Sequence, residues 1–375
     1  QRNGNTASAS YPLSMNRVAW NDTKWATGGF PVNTWGSMFT DESNSAQSEV
    51  ITVIPMDSVK SEGYYSELRS IFCTAYNDNN QMELVPSQSL KELSYAQNFC
   101  LFDQETKKTV YAPKNIGSNY DGDLRLAFAW SSNENAVNDK GERYTSQTIS
   151  KFLTKNGNVN IYRRGQVYLR FAEAMNRAGF PRYAFHILAT GVNSEVLDLC
   201  INPYLSEADI DALAKFTFSE VSYRVPYSPS WYNGSVKYYS SDLKNMGIHG
   251  RGCGDAGMDY SYMPNSLKTD TIHVVDTTSI EGYKVEVKFK DGASPDPTCS
   301  KAVMMDVVED LIVNEQALET AFEGYRFYDL MRVAFRRSDP SYLSFRVNAR
   351  KGKGTTLGVD LNDQSNWFLK FPVQK

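Results

Sequence analysis

Histidine is nearly missing from this 375-residue chain, which has only His186, His249 and His273. That leaves little scope for histidine-based acid–base or nucleophilic catalysis. No GxSxG elbow, HExxH, P-loop or cysteine nucleophile beside a histidine motif occurs either. The five cysteines, Cys73, Cys100, Cys200, Cys253 and Cys299, form no CxxC pair and are odd in number. A disulfide framework is therefore not expected, beyond an isolated bridge. No run of about 18 apolar residues is present, so no membrane-spanning helix is expected. Neither sign of charge dominates: 39 basic against 43 acidic residues gives a net charge of −4. Nucleic acid, which calls for a concentrated basic face, is excluded as a partner on that ground. The polar start, Gln1 to Ser10, lacks the basic-then-apolar pattern of a signal peptide, and no initiator methionine is present. The reading is that the chain begins inside a longer protein.

What the chain does have is aromatic side chains: 23 Tyr, 19 Phe and 6 Trp. Much of this set belongs in a core. The remainder, beside Asn, Gly and Ser, suits a surface that grips sugars or peptides. Residues 1–47 are rich in Gly, Asn, Ser and Thr and read as loops around one short element. Glu49 to Ile54 is a β-branched run closed by Pro55, a predicted strand. Residues 62–76 read as helical, and a further helix is expected after Pro86 with Ser87 as its N-cap.

Two segments carry the clearest helical periodicity. Within 161–178, Val167, Phe171, Ala174 and Ala178 recur at spacings of four, three and four, and Gly179 and Pro181 supply the stop. Ala172, Ala174 and Ala178 are small enough to let a second helix approach. Within 304–323, Met304, Val308, Leu311, Ile312, Leu318 and Phe322 define the expected apolar face, with Gly324 following. Between these helices, about 225–300 is rich in Pro, Gly, Ser and aromatics and reads as a loop-rich insertion, with a hairpin expected over 271–275 and 283–290. The residues thus predict a mainly α body with irregular excursions and a few short strands.

The run Asn314-Glu315-Gln316-Ala317-Leu318-Glu319-Thr320-Ala321-Phe322-Glu323-Gly324-Tyr325-Arg326-Phe327-Tyr328-Asp329-Leu330-Met331-Arg332 resembles the ERRxELAFEGxRxxDLxR signature of the SusD/RagB family. Tyr168 to Gly179 is similar to that family's YLxxAEAxNRxG helix. Ser48-Glu49-Val50-Ile51, Pro86-Ser87-Gln88-Ser89-Leu90, Gly122-Asp123-Leu124-Arg125-Leu126 and Trp367 to Pro372 echo further family segments in the same order. Gln316-Ala317 replaces the usual arginine pair, and the INxIRxRAG phrase is missing after Gly179. The resemblance implies a helical-repeat (tetratricopeptide-like, α-α superhelix) scaffold with a variable loop-rich region. It divides the chain into a lead-in over 1–47 and a C-terminal domain over 48–375. It also implies non-catalytic capture of oligosaccharide at the outer membrane by a surface lipoprotein. The partner would be a SusC-like TonB-dependent transporter, and the lipid anchor would lie on an N-terminal part outside this chain. Peptide cargo, as in the RagB branch, and a glycoside hydrolase of the same uptake system are the alternatives. A glycosidase needs only two carboxylates, and inspection of 43 acidic residues does not exclude a pair.

Candidate residues follow. Glu315, Glu319 and Glu323 repeat every four residues, and Arg326, Asp329 and Arg332 every three, around Gly324. Such spacing puts side chains on one helical face. An ion-pair network locking the helix to its neighbours is favoured over active-site carboxylates, with Arg326 pairing to Glu323 or Asp329. Trp20, Trp25, Trp35, Trp231, Tyr232, Tyr238 and Tyr239 lie in Asn/Gly-rich surroundings and are the candidate sugar-stacking rings. Trp130 and Trp367 are expected in the core. His249-Gly250-Arg251-Gly252-Cys253-Gly254-Asp255 lacks zinc-ligand spacing and reads as a glycine-rich turn. Asp78, Asn80 and Glu83 offer hard oxygen donors, but an Asx-rich turn is preferred to a calcium site. No cofactor and no metal are expected.

Overall fold

In the computed structural model of the chain, the described residues are 18–20, 25, 32–33, 35–40, 49–56, 72, 85–103, 106, 108–114, 121–137, 140–152, 158–192, 196–214, 225–226, 239–240, 247–267, 300–350 and 357–368. They form a mainly helical structure with short strands in two-stranded sheets. The helices are α1 (Ser37–Thr40), α2 (Gln88–Ala96), α3 (Leu124–Ala129), α4 (Arg164–Arg177), α5 (Pro181–Ala189), α6 (Glu207–Leu213), α7 (Gly250–Cys253), α8 (Lys301–Glu319), α9 (Arg326–Arg337) and α10 (Pro340–Ala349). Every strand pair is antiparallel: β1 (Val18–Ala19) with β2 (Val32–Asn33), β3 (Val50–Ile54) with β8 (Val159–Arg163), and β4 (Cys100–Asp103) with β5 (Lys108–Tyr111). Likewise β6 (Trp130–Val137) pairs with β7 (Arg143–Ile149), and β9 (Val225–Pro226) with β10 (Tyr239–Ser240).

Local chemistry sets the helix ends. Ser87, Asp123, Ser206, Ser300 and Asp339 each accept a backbone N–H at the start of α2, α3, α6, α8 and α10, satisfying a donor that the helix leaves open. Pro181 and Pro340 open α5 and α10 at a position where a missing N–H costs nothing. Gly179, at φ 89°, turns the chain out of α4. The helix expected over 304–323 ends early, and the turn expected at Gly324 begins before it. α8 stops at Glu319, and Phe322 (φ 67°) and Gly324 (φ 84°) carry the chain through left-handed conformations before α9 begins. Phe322 holds that unusual backbone while packing on an aromatic cluster.

Three apolar clusters make the core. The largest joins α4, α5 and α8 through Leu169, Ala172, Tyr183, Leu188, Val308 and Ile312. Another joins Val313 of α8 to Leu330, Val333, Leu343 and Trp367 under α9 and α10. Ile312 and Val313 are neighbours in sequence and serve different clusters, so α8 is buried on two sides. A third cluster holds Trp20, Trp25, Trp35, Met38, Phe99 and Leu124.

Two expectations about faces are corrected here. On α4 the predicted stripe is largely outward: Val167 is 38% exposed, and Ala174 and Ala178 are exposed. The inward side carries Leu169, Ala172 and Met175 together with Gln166, Glu173 and Asn176. Periodicity failed because polar side chains with internal partners share the buried face, so apolar spacing alone did not mark it. The stretch 247–267, expected as part of a decorating insertion, is a short helix and turns whose Ile248, Arg251, Cys253 and Leu267 are fully buried. Apart from Phe72, which is helical, the expected helix over 62–76 lies outside the described residues, as does the hairpin over 271–290. Trp367 is in the core as expected, whereas Trp130 is half-buried at the start of β6, with the Lys91 ammonium 4.3 Å from its ring.

Candidate functional site

Glu315 and Glu319 stand one turn apart on α8, and both point into the protein, at 1% and 0% exposure. Burying a carboxylate is costly unless it is paired and hydrogen-bonded, and each of these is. The Arg125 guanidinium lies between them: its Nη2 donates to Glu315 Oε1 at 2.6 Å and Nη1 to Glu319 Oε2 at 2.8 Å. The same Nη2 donates to Asp123 Oδ2 at 2.5 Å, and Asp123 also caps α3 by accepting the Arg125 N–H at 2.9 Å. Arg163, where β8 meets α4, donates to Glu319 Oε1, to Glu49 Oε1 at 3.1 Å and to Glu323 Oε1 at 2.8 Å. Arg251 of α7 grips Glu49 through two bonds of 2.6 and 2.8 Å and lies 2.9 Å from Glu319 Oε1. Lys151 closes the set at Glu323 Oε1, 2.5 Å away, under the rings of Trp35 and Phe39.

Two glycines let these groups approach. A Cβ on Gly165 would fall 2.7 Å from Nη1 of both Arg163 and Arg251, and one on Gly252 would fall 2.1 Å from Asp123 Oδ1. The electrostatics follow from the pairing. Burial pushes Glu49, Glu315, Glu319 and Glu323 up, and the surrounding guanidinium groups, with Lys151 at Glu323, outweigh it and hold all four below the usual carboxylate range. Burial draws Lys151 down to about 8 in spite of Glu323. The carboxylates are fixed anions with spent lone pairs, an arrangement suited to holding structure and unsuited to proton donation.

One outer wall of this cluster opens to a cavity of about 220 Å³. Its polar lining is Gln97, Asn98, Asp259, Ser261, Tyr262, Asn314 and Glu315. Asn98 donates to Ser261 Oγ at 2.9 Å, Tyr111 donates to Asp259 Oδ1 at 2.9 Å, and Tyr262 bridges to the cluster through Glu315 Oε2 at 3.4 Å. Burial first and Asp259 second push the Tyr111 hydroxyl well up, so it remains a donor. His249 stacks on Tyr262 at 3.8 Å between ring centroids and meets Glu315 Oε2 through Nδ1 at 2.8 Å. The cavity is smaller than the roughly 300–1,000 Å³ of sites that swallow a whole drug-sized ligand. It fits one small polar group of a ligand whose bulk lies outside.

The sequence-predicted residues fare unequally. Glu315, Glu319 and Glu323 meet in the cluster, Gly324 makes the turn, and Asp329 and Arg332 pair with each other and with Arg170 and Glu173 outside it. Arg326 pairs with neither Glu323 nor Asp329 by hydrogen bond; its Nη1 donates to the Val313 carbonyl at 2.6 Å. Trp20, Trp25 and Trp35, expected as sugar platforms, are core residues at 2%, 7% and 0% exposure. Trp20 and Trp25 stack edge-to-face, as do Trp25 and Phe99, so these rings contribute packing and present no face to solvent. Trp231, Tyr232 and Tyr238 lie outside the described residues, as do Asp78, Asn80 and Glu83, while Tyr239 sits in β10. The 249–255 run is a buried helix start, and no exposed turn.

Sequence reasoning did not single out Arg163, Lys151 or any polar residue of the cavity apart from Glu315. Arg125, flanked by leucines in an apolar run, carried a usable signal, because a charge there must be paired. Asp259 and Asn314 carried none. No family model matches the chain, and neither a curated protein nor a solved structure matches it.

Proposed function

We propose that this chain is a SusD/RagB-like capture subunit, built on a helical-repeat scaffold, that binds oligosaccharide without transforming it. It would hand its ligand to a SusC-like TonB-dependent transporter at the outer membrane, anchored there by a lipid outside this chain. One observation carries the reading. Segments on which the resemblance rests, separated by as many as 190 residues or more, supply the members of one buried cluster: Glu49, Asp123, Arg125, Glu315, Glu319 and Glu323. A chance likeness scattered along a chain has no reason to converge on one set of ion pairs.

The cavity supports the cargo class. Amide, carboxylate and hydroxyl groups crowd its wall beside a tyrosine, the mixture that takes up sugar hydroxyls. Glu315, the carboxylate shared by cavity and cluster, is held as an anion by Arg125 and His249, which favours binding over general-acid chemistry. Affinity electrophoresis against plant, host and microbial polysaccharides tests the reading. At least one glycan should retard the protein, and Asn314→Ala should abolish the retardation without shifting the melting temperature. Trp231→Ala reports whether that tryptophan adds to the grip. A protein that no glycan retards contradicts the reading and moves peptide to the front.

A further inference from the structure

The buried cluster sets carboxylates and cations side by side in a dry interior; among the described residues these are Glu49, Asp123, Glu315, Glu319 and Glu323 with Lys151, Arg125, Arg163 and Arg251.

At the edge of that cluster, donor atoms of Asp123, His249 and Cys253 lie within 4.8 Å of one another, and all three residues are buried. Their meeting is built into the fold. His249 and Cys253 are four residues apart across α7, which puts them on one side of a single helical turn. Asp123 arrives as the N-cap of α3, admitted by the missing side chain at Gly252. Cys253 Sγ contacts Asp123 Oδ2 at 3.4 Å. His249 is oriented from behind: its Nδ1 is on the Glu315 carboxylate and its ring lies flat on Tyr262. Its Nε2 is buried and has no hydrogen-bond partner. A buried nitrogen left unpaired calls for a reason, and a carboxylate on the opposite ring nitrogen is how metal-binding imidazoles are commonly held.

We propose that Asp123, His249 and Cys253 form a site for a divalent cation of the zinc class, with Glu315 orienting the histidine. Nitrogen, thiolate and carboxylate are the donors that such an ion accepts, and the nitrogen and thiolate among them are poor partners for calcium or magnesium. Binding forms a metal–sulfur bond and releases the Cys253 proton to solvent. The cavity wall at Glu315 and Tyr262 offers the route in. The ion would tie α3 to α7, two elements that no covalent link joins.

The full chain, dialysed against cobalt(II) and then passed through a desalting column, tests this. The wild type should retain about one equivalent of cobalt and show the intense near-ultraviolet absorption of a thiolate–cobalt bond. Cys253→Ser, which keeps a hydroxyl donor for Asp123, should keep the far-ultraviolet circular dichroism of the wild type. It should lose the absorption band and bind cobalt at least about tenfold more weakly. Zinc added first should block the cobalt band in the wild type. Folded wild-type protein that retains no cobalt overturns the proposal. A band that persists unchanged in Cys253→Ser overturns it too.

Discussion

The molecule carries two sets of ion pairs drawn from the same signature run, and they differ in where water reaches. In the inner cluster both members of each pair are sealed: Arg125, Arg163 and Arg251 show 0–1% side-chain exposure, as do Glu49, Glu315 and Glu319. In the outer ladder Glu173 accepts from Arg332 at 2.7 and 2.8 Å, and Asp329 from Arg170 at 2.6 Å. Those carboxylates are buried too, yet the arginines keep 31–35% of their side chains in solvent. Distances in the two sets are alike. Their contributions should not be, because an exposed guanidinium that loses its partner is rehydrated and a sealed one is not.

Glu319→Gln should therefore have the largest effect. It removes the anion shared by Arg125, Arg163 and Arg251 and should cost about 3–5 kcal/mol in urea unfolding. Trp35→Ala sharpens the same region from its apolar side. The ring packs beside Phe39, and its Nε1 donates to Glu319 Oε1 at 3.4 Å, so a loss of about 3–5 kcal/mol is expected, with no change in glycan retardation beyond that loss of fold.

Acid should come next in effect and should act through the inner set. The folded-state carboxyls of Glu49, Glu315, Glu319 and Glu323 are depressed, so the unfolded chain takes up protons first as pH falls. Their contribution is full above the ordinary carboxylate value of about 4.3 and is lost progressively below it. Melting temperature followed from pH 7 downward should hold level and then drop, and Glu319→Gln should make that drop shallower. Arg332→Gln should have the smallest effect, about 0–1 kcal/mol, and salt should erode it, because the screening length shrinks below about 10 Å above 0.1 M.

How much of this was legible beforehand depends on whether chemistry was written locally. The caps at Ser87 and Gly179, the strand closed by Pro55 and the structural role of Glu315, Glu319 and Glu323 were readable, because each follows from a few neighbouring residues. The turn after α8 was marked by Gly324, but its early start through Phe322 was not, since a left-handed phenylalanine is set by packing against the tryptophan cluster. The identity of the counter-ions was hidden as well. Arg163 and Arg251 reach Glu49 from 114 and 202 residues away, and spacing says nothing at that range. The three early tryptophans misled because Gly/Asn-rich flanks say nothing about burial, and all three rings are buried.

Urea unfolding of Glu319→Gln and Arg332→Gln side by side, at low and high salt, tests most directly whether the signature run is a sealed structural core. The expected result is a loss of about 3–5 kcal/mol for Glu319→Gln that salt leaves unchanged, beside a loss of at most about 1 kcal/mol for Arg332→Gln that salt diminishes. Equal losses for the two variants, or a Glu319→Gln protein as stable as the wild type, would contradict it.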